Sequence, residues 1–253
     1  MSRFIWEHSL HRKQFATFGG FVLVVVGACC VALRHLIAAE VIFYWTAFFL
    51  FCHTRPWFYR HLNSGIFRSI AIVWLASTLI LFRINFPMSW HIIGILGGVL
   101  VGVLLLIPAL RDVRLLLDPV IMSLQPPLPL SGVFLRSVFI VLAVCAEEAF
   151  YRVILINVFI WLSVGSVALS SVVFLAGDIA GSWGPPTSIK RLMANFALGL
   201  VNGFVYFYTH NVLFLMASHL TYLAPQFVLM TKNYRLHQHM LHNPAQASID
   251  EGR

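Results

Sequence analysis

The sequence contains few charged residues for its length. Only 10% of its 253 residues are Asp, Glu, Lys or Arg, whereas soluble domains carry about 25%. Hydrophobic residues make up 60% of the chain, and the mean hydropathy is +0.86. So few charges cannot cover the surface of a water-soluble protein of this size, and the hydrophobicity excludes a disordered chain. The composition therefore predicts a polytopic membrane protein.

Cysteine is also scarce, and its distribution excludes a disulfide framework. The four cysteines form no CxxC pair and lie within or beside apolar runs. Small buried hydrophobic side chains are the ordinary use of such residues. We therefore expect neither disulfides nor a cysteine metal site from Cys29, Cys30, Cys52 and Cys145.

Long apolar runs dominate what is present. A membrane-spanning helix needs about 20 mainly apolar residues, and about eight runs approach this length. They predict an all-α bundle of about eight transmembrane helices, arranged as one membrane domain over residues 15–230. Residues 1–14 would form a cytoplasmic N-terminal segment, and residues 231–253, which include three histidines, a polar cytoplasmic tail. The runs are Phe15–Leu33, Leu36–Cys52, Ser69–Phe82, Trp90–Leu110, Val133–Phe159, Ser163–Ala180, Leu192–Tyr208 and Val212–Met230.

The net charge of +8 is explained by topology. The basic residues form small groups between the apolar runs, whereas a nucleic-acid-binding protein gathers them on one soluble face. If the N-terminus is cytoplasmic, little beyond Arg34 and Arg83 lies on the opposite side. The positive-inside rule then favours an even number of spans, both termini in the cytoplasm and a multi-pass protein of the cell membrane. We expect the lipid bilayer as a partner and no nucleic acid. The cytoplasmic groups are Arg3, Arg12, Lys13, Arg55, Arg60, Arg68, Arg111, Arg114, Lys190, Arg191, Lys232, Arg235 and Arg253.

Acidic residues inside the spans indicate where chemistry could occur, because an ionised group in a bilayer costs at least about 2.5–3.5 kcal/mol. The densest cluster is Glu147, Glu148 and Arg152. Glu148 and Arg152 are four residues apart, so a helix places them on one face as an ion pair. Glu147 points about 100° away, and without so near a cation it suits the role of general base. The alternative is a buried ion pair that serves helix packing.

Other polar residues in the spans permit two interpretations each. Asp178 ends the sixth span and is either a helix-end acid or part of a site. His219 lies in the middle of the last span and is either a packing residue or part of a site. Glu40, near the start of the second span, is expected to be structural. Gly199 and Gly203 form a small-xxx-small pattern, which predicts a close helix contact.

Taken together, these residues resemble the motifs of the CPBP family of intramembrane proteases, which includes the Rce1 CAAX prenyl endopeptidases and the bacterial Abi proteins. The motifs are Glu147-Glu148-x-x-x-Arg152, then Phe174-x-x-x-Asp178, then the segment from Phe196 through Gly199 and Gly203 to His219. Their order, spacing and placement in spans agree over residues 133–223. The resemblance implies a helical bundle around a water-filled cavity, in which Glu147 activates water and His219 helps to activate water or stabilise the oxyanion.

The sequence departs from the family pattern at two positions. The second motif is usually FxxxH, and Asp178 stands where the His is expected. The last motif is usually HxxxN, and Leu223 replaces the Asn. Asp178 can accept a proton or orient water but cannot donate as an imidazolium, and Leu223 offers no amide to an oxyanion.

Two functional hypotheses follow. The first is a glutamate-dependent intramembrane endopeptidase, a hydrolase of the CAAX-protease type, that cleaves a membrane-anchored protein or peptide with Glu147, Glu148, Arg152, Asp178 and His219 as its site. The second is a catalytically silent relative that acts as a membrane scaffold, immunity factor or regulatory protein. We expect no cofactor, because no HExxH pair is present, although two Glu, one Asp and one His are also plausible ligands of a divalent metal such as zinc. A transporter is disfavoured, since no paired inverted repeats are visible.

Overall fold

The computed structural model describes residues 24–25, 27–53, 64–81, 88–181 and 189–242. These residues are almost entirely helical, and the only β pairing among them is an isolated bridge between Ser89 and Asn211. The all-α prediction is confirmed. In this part of the chain, a helical stretch at 27–32 precedes eleven α-helices, which we number in chain order. They are α1 Leu36–His53, α2 Ser64–Leu81, α3 Ile93–Leu106, α4 Leu110–Leu116, α5 Pro119–Ser123, α6 Leu130–Glu148, α7 Leu155–Val158, α8 Val164–Gly181, α9 Ile189–Thr209, α10 Val212–Tyr222 and α11 Ala224–His242.

Helices occupy the predicted apolar runs from the second run onward. Two continuous stretches are long and apolar enough to cross a membrane, Leu130–Val158 and Leu192–Thr209, and the bent pair α10 and α11 is a third if it counts as one span. Four further apolar helices are shorter than a full span: Leu36–Cys52, Ser69–Leu81, Ile93–Ala109 and Val164–Asp178. The two long stretches have the length and composition of membrane-spanning helices.

Several predicted features lie outside the described residues. These are the N-terminal segment 1–14, most of the first run, the last eleven residues of the predicted tail, and the basic residues Arg3, Arg12, Lys13, Arg55, Arg60, Arg83 and Arg253. The part of the tail that is described, residues 231–242, continues helix α11.

The structure corrects the prediction of Val212–Met230 as one continuous helical span. The structure divides it at Leu223 into α10 and α11, whose axes differ by 45°. Pro225 explains the break, because it has no N–H to donate to the Thr221 carbonyl and its ring crowds that carbonyl. Proline also disfavours helical backbone at the preceding residue, Ala224.

The fifth predicted span is also less regular than expected. After α6 the chain forms a π-helix over Ala149–Ile154, followed by the single α-helical turn of α7 and a 3-10 turn over Ile160–Leu162. The Ser170 hydroxyl, from α8, donates a hydrogen bond to the Tyr151 carbonyl inside this π-helix. π-Helical turns are rare and occur often at functional sites.

The described residues divide into two compact units. The first combines those of Met1–Met88 with Ala146–His210. Its core includes buried residues of α1 and of the π-helix, among them Trp45, Phe49, Phe150 and Ile154. The prediction of a close contact at the glycines of α9 is confirmed, because a Cβ on Gly203 would lie 2.7 Å from Val167 Cγ1 of α8.

The second unit combines Ser89–Cys145 with Asn211–Arg253. In this unit α3 packs against α10 through Gly94, Gly98 and Gly102, which repeat every four residues and are buried. Elsewhere in the unit, the buried Asn233 of α11 accepts a hydrogen bond from the backbone N–H of Leu128 at 3.2 Å.

Candidate active site

Glu148 and Arg152 form a completely buried ion pair in the first unit. Arg152 Nε lies 3.3 Å from Glu148 Oε2, and both side chains are 0% exposed. The predicted pairing of these residues is confirmed. Asn202, from α9, donates from Nδ2 to the other carboxylate oxygen, Glu148 Oε1, at 3.3 Å. The carboxylate is therefore held from two elements, which offsets part of the cost of burying its charge.

Phe174 of α8 fixes the other side of Arg152. The guanidinium carbon lies 4.2 Å from the Phe174 ring centroid, within the range of a cation–π interaction. Tyr151 packs edge-on against the same ring, with centroids 5.3 Å apart. The first residue of the Phe174-x-x-x-Asp178 motif thus contacts the last residue of the Glu147-Glu148-x-x-x-Arg152 motif.

Glu147 lies in a different environment from Glu148. It is partly exposed, whereas its neighbour is fully buried. Successive helical residues point about 100° apart, so only one of the two carboxylates can join the buried pair. The structure thus distinguishes a buried carboxylate, held by Arg152 and Asn202, from one that is partly exposed.

Asp178 lies three residues before the end of α8 and contacts α9. Asn195 Nδ2 donates to Asp178 Oδ2 at 2.6 Å, and Asn195 is only 5% exposed. Asn195 and Asn202 are seven residues apart, so they share one face of α9. This face presents one amide to Asp178 and one to Glu148.

His219 belongs to the second unit, where α10 places it and buries it to 4% exposure. The glycines of α3 let the backbone of α10 approach closely at Ser218, the residue before His219. A Cβ on Gly98 would lie 2.9 Å from Ser218 N, and a Cβ on Gly102 would lie 2.6 Å from Ser218 O. Asn211 caps α10 by accepting from Phe214 N at 3.3 Å and donates to the His91 carbonyl at 3.1 Å. The N-terminal end of the interface between α3 and α10 is thereby fixed. Leu223 follows as the C-terminal cap residue of α10.

Three amides contribute to these contacts although the sequence pattern assigned them no role: Asn195, Asn202 and Asn211. The first two were recognisable in part, because two amides seven residues apart in an apolar span are costly unless they have partners. The Gly94-x3-Gly98-x3-Gly102 repeat was equally visible in the sequence as a small-residue stripe.

The described residues contain no group of three His, Cys, Asp or Glu side chains placed to hold a metal ion. The choice between a metal-free glutamate mechanism and a divalent metal stays a prediction.

Comparison with known protein families identifies the segment that contains the predicted site residues. A family model described as type II CAAX prenyl endopeptidase Rce1-like matches residues 129–224. This segment is Rce1-like. The match confirms the predicted resemblance to the CPBP proteases, and it spans less than half of the chain. No curated protein and no solved structure matches the sequence.

The Rce1-like segment contains every predicted site residue and both departures from the family pattern. It begins just before α6 and ends at the first residue of α11. The family match therefore supports, in general terms, a membrane function of the CAAX-protease type.

Proposed function

We propose that the protein is a glutamate-dependent intramembrane endopeptidase that hydrolyses a peptide bond in a membrane-anchored protein or peptide. The observation that carries the proposal is the contrast between the two adjacent glutamates. Glu148 is buried and held by Arg152 and Asn202, whereas Glu147 is partly exposed. A general base must reach water and accept its proton, and partial exposure makes Glu147 the more accessible of the two carboxylates.

In the proposed reaction, the Glu147 carboxylate takes a proton from water as the hydroxide oxygen attacks the peptide carbonyl carbon. The carbonyl π bond breaks, and the negative charge moves to the carbonyl oxygen. Collapse of this tetrahedral intermediate releases the amine, which receives the proton from Glu147. By the family resemblance, His219 orients water or stabilises the oxyanion, which is often the largest contribution to such catalysis.

Asp178 takes the place of the family histidine in this proposal. Its Oδ2 accepts from Asn195 at 2.6 Å, which fixes the orientation of the carboxylate. An oriented carboxylate can accept a hydrogen bond from the attacking water and direct its lone pair. Leu223 brings no donor, so the oxyanion relies on other groups, with His219 as the first candidate.

The proposal includes a multi-pass protein of the cell membrane with both termini in the cytoplasm. Two basic residues at the ends of apolar helices are exposed, Arg111 just after Ile93–Ala109 and Lys190 at the start of α9. This is the distribution that the positive-inside rule associates with cytoplasmic segments. Substrate reaches such a site from the bilayer, so we expect membrane-anchored substrates and no nucleic acid.

Comparison of newly formed N-termini tests the proposal and does not require the substrate to be identified first. Membranes from cells that express the wild type, Glu147→Gln or His219→Ala at equal levels are analysed by N-terminal proteomics. We expect a set of new N-termini in the wild type that falls about 100-fold or more in Glu147→Gln, the usual range for loss of a general base. Glu40→Gln is the matched control, because Glu40 is an exposed acid of α1.

A silent relative is the second candidate, favoured by the Asp178 and Leu223 departures. Such a protein acts by binding, so it generates no N-termini that depend on Glu147. If wild type and Glu147→Gln give the same set of N-termini and the same cellular phenotype, the endopeptidase proposal is wrong.

A further inference from the structure

An open cavity of about 540 Å³ lies in the first unit, and no residue of the proposed active site lines it. One wall is the turn before α1 and the first residues of that helix, and the other is the end of α7. Its polar lining residues are Arg34, His35 and Asn157, and its apolar lining residues include Leu36, Ile37 and Val158.

The cavity lies where helices end. His35 precedes α1, and its ring stacks on Trp161 in the 3-10 turn between α7 and α8, with centroids 4.4 Å apart and planes at 2°. Trp161 is 44% exposed. Turns at the ends of apolar helices lie near the headgroup level of a bilayer, and tryptophan is enriched there. The His35–Trp161 stack thus has the position and the residue type expected at a membrane interface.

The charge of the lining is positive. Arg34 is exposed, and among the described residues no acidic side chain lines the cavity. The backbone of Arg34 is held with a φ of 62° by hydrogen bonds from Arg34 N to the Val31 carbonyl at 2.9 Å and from His35 N to the Cys30 carbonyl at 2.8 Å. Residues other than glycine enter this left-handed region only at a cost. A guanidinium in this position suits a phosphate, which it can bind through two parallel N–H groups.

We propose that this cavity binds an anionic glycerophospholipid, with Arg34 on the phosphate, His35 donating a second hydrogen bond, and the glycerol and upper acyl chains against Leu36, Ile37 and Val158. The apolar wall distinguishes a lipid from a free phosphate. Leu36 and Ile37 are 61% and 53% exposed, and hydrocarbon would cover them. The site uses none of the residues assigned to peptide hydrolysis, so it stands or falls separately from that function.

The test uses the full chain, purified in a neutral detergent and titrated with phosphatidylglycerol, phosphatidylcholine or glycerol 3-phosphate. Bound lipid is counted by native mass spectrometry. We expect retention of one phosphatidylglycerol in preference to phosphatidylcholine, and about tenfold or weaker binding in Arg34→Gln because a charge-assisted contact is lost. Arg34→Lys should retain part of the affinity. Arg136→Gln, which removes an exposed charge from α6, is the matched control and should bind as the wild type does.

A second variant distinguishes lipid from phosphate. Ile37→Asn makes the wall polar, so it should weaken phosphatidylglycerol and leave glycerol 3-phosphate unchanged. Equal affinity of wild type and Arg34→Gln for phosphatidylglycerol would overturn the proposal, as would glycerol 3-phosphate binding as tightly as the lipid. Each variant is compared at a matched elution volume and helical content, so a folding defect is recognised before binding is measured.

Discussion

At the scale of single residues, the first unit holds each of two acids through an amide of the same helix. Glu148 accepts a hydrogen bond from Asn202, and Asp178 accepts one from Asn195; both amides belong to α9. A hydrogen bond to a charged group contributes about 1.5–3 kcal/mol, which is comparable with the cost of placing an acid in a span. The two amides thus help to offset the free-energy cost of placing the carboxylates in membrane spans.

Replacement of Asn202 by leucine removes the donor to Glu148 Oε1 and keeps a similar volume. We expect a loss of about 1–2 kcal/mol in the free energy of unfolding, because the buried carboxylate keeps its charge and loses a partner. Unfolding in mixed micelles by a denaturing detergent measures it. Phe204→Leu, at a more exposed position of α9, is the control.

A double-mutant cycle measures the interaction between Asn202 and Glu148 more directly than the single substitution does. In a Glu148→Gln background, Asn202→Leu should cost less than in the wild type, since the charged acceptor is gone. Additive effects of the two substitutions would contradict the interaction.

The sequence predicts the Glu148–Arg152 pair but not its Asn202 partner. The pair is local, because residues four apart on a helix meet whatever the tertiary structure does. Asn202 is 54 residues from Glu148, so their contact depends on how α9 packs on the π-helix. The same reason hides the Asn195–Asp178 contact, and the role of Glu147 stays a prediction.

At the scale of elements, the glycine stripe of α3 determines how closely it approaches α10. A Cβ on Gly98 would lie 2.5 Å from the Phe214 carbonyl oxygen and 2.9 Å from the Ala217 Cβ. Backbone atoms cannot move aside as a side chain can, so any larger residue must separate the two helices. α10 also carries His219, and its position therefore depends on this contact.

Two adjacent alanine substitutions test the contact. Gly98→Ala should destabilise the protein by about 1–3 kcal/mol, the usual cost of overpacking. At Gly97 the nearest atom is Phe214 Cε2, at 3.2 Å, a side-chain atom that can shift. Gly97→Ala should therefore be near neutral, because alanine's helix propensity of about 1 kcal/mol over glycine offsets a small displacement. Thermal unfolding in detergent compares the two, and equal effects would exclude the close contact.

Most elements could be predicted from hydrophobicity, because a run of apolar residues in a membrane protein has to satisfy its own backbone hydrogen bonds. The break at Leu223 could also have been found, since Pro225 is visible in the sequence. The π-helix at Ala149–Ile154 could not, because nothing local marks it. It is associated with a hydrogen bond from Ser170, 19 residues away.

At the scale of the whole molecule, the side on which the chain ends depends on α10 and α11. Eleven residues of α10 extend about 16 Å, roughly half of a bilayer core. A re-entrant segment would reverse direction, whereas these helices differ by only 45°. We therefore expect the pair to cross the membrane as one bent span, which would preserve the even count predicted from the basic residues.

Reporter fusions check this topology. Green fluorescent protein fused after Arg253 should fluoresce, because it folds in the cytoplasm, and alkaline phosphatase at the same place should be inactive. A fusion truncated after Arg34 should give the opposite pair of results. Phosphatase activity at the C-terminus would show that α10 and α11 return to the side from which they entered.

The glycine stripe also constrains how the protein can evolve. Every missense change in the codons of Gly94, Gly98 and Gly102 adds a Cβ atom, and at Gly98 and Gly102 that atom meets the backbone of α10. Substitutions at these three positions of α3 are therefore not tolerated unless α10 changes as well. In a family tree, we expect α3 and α10 to diverge together, with glycine retained at all three positions while Gly97 varies.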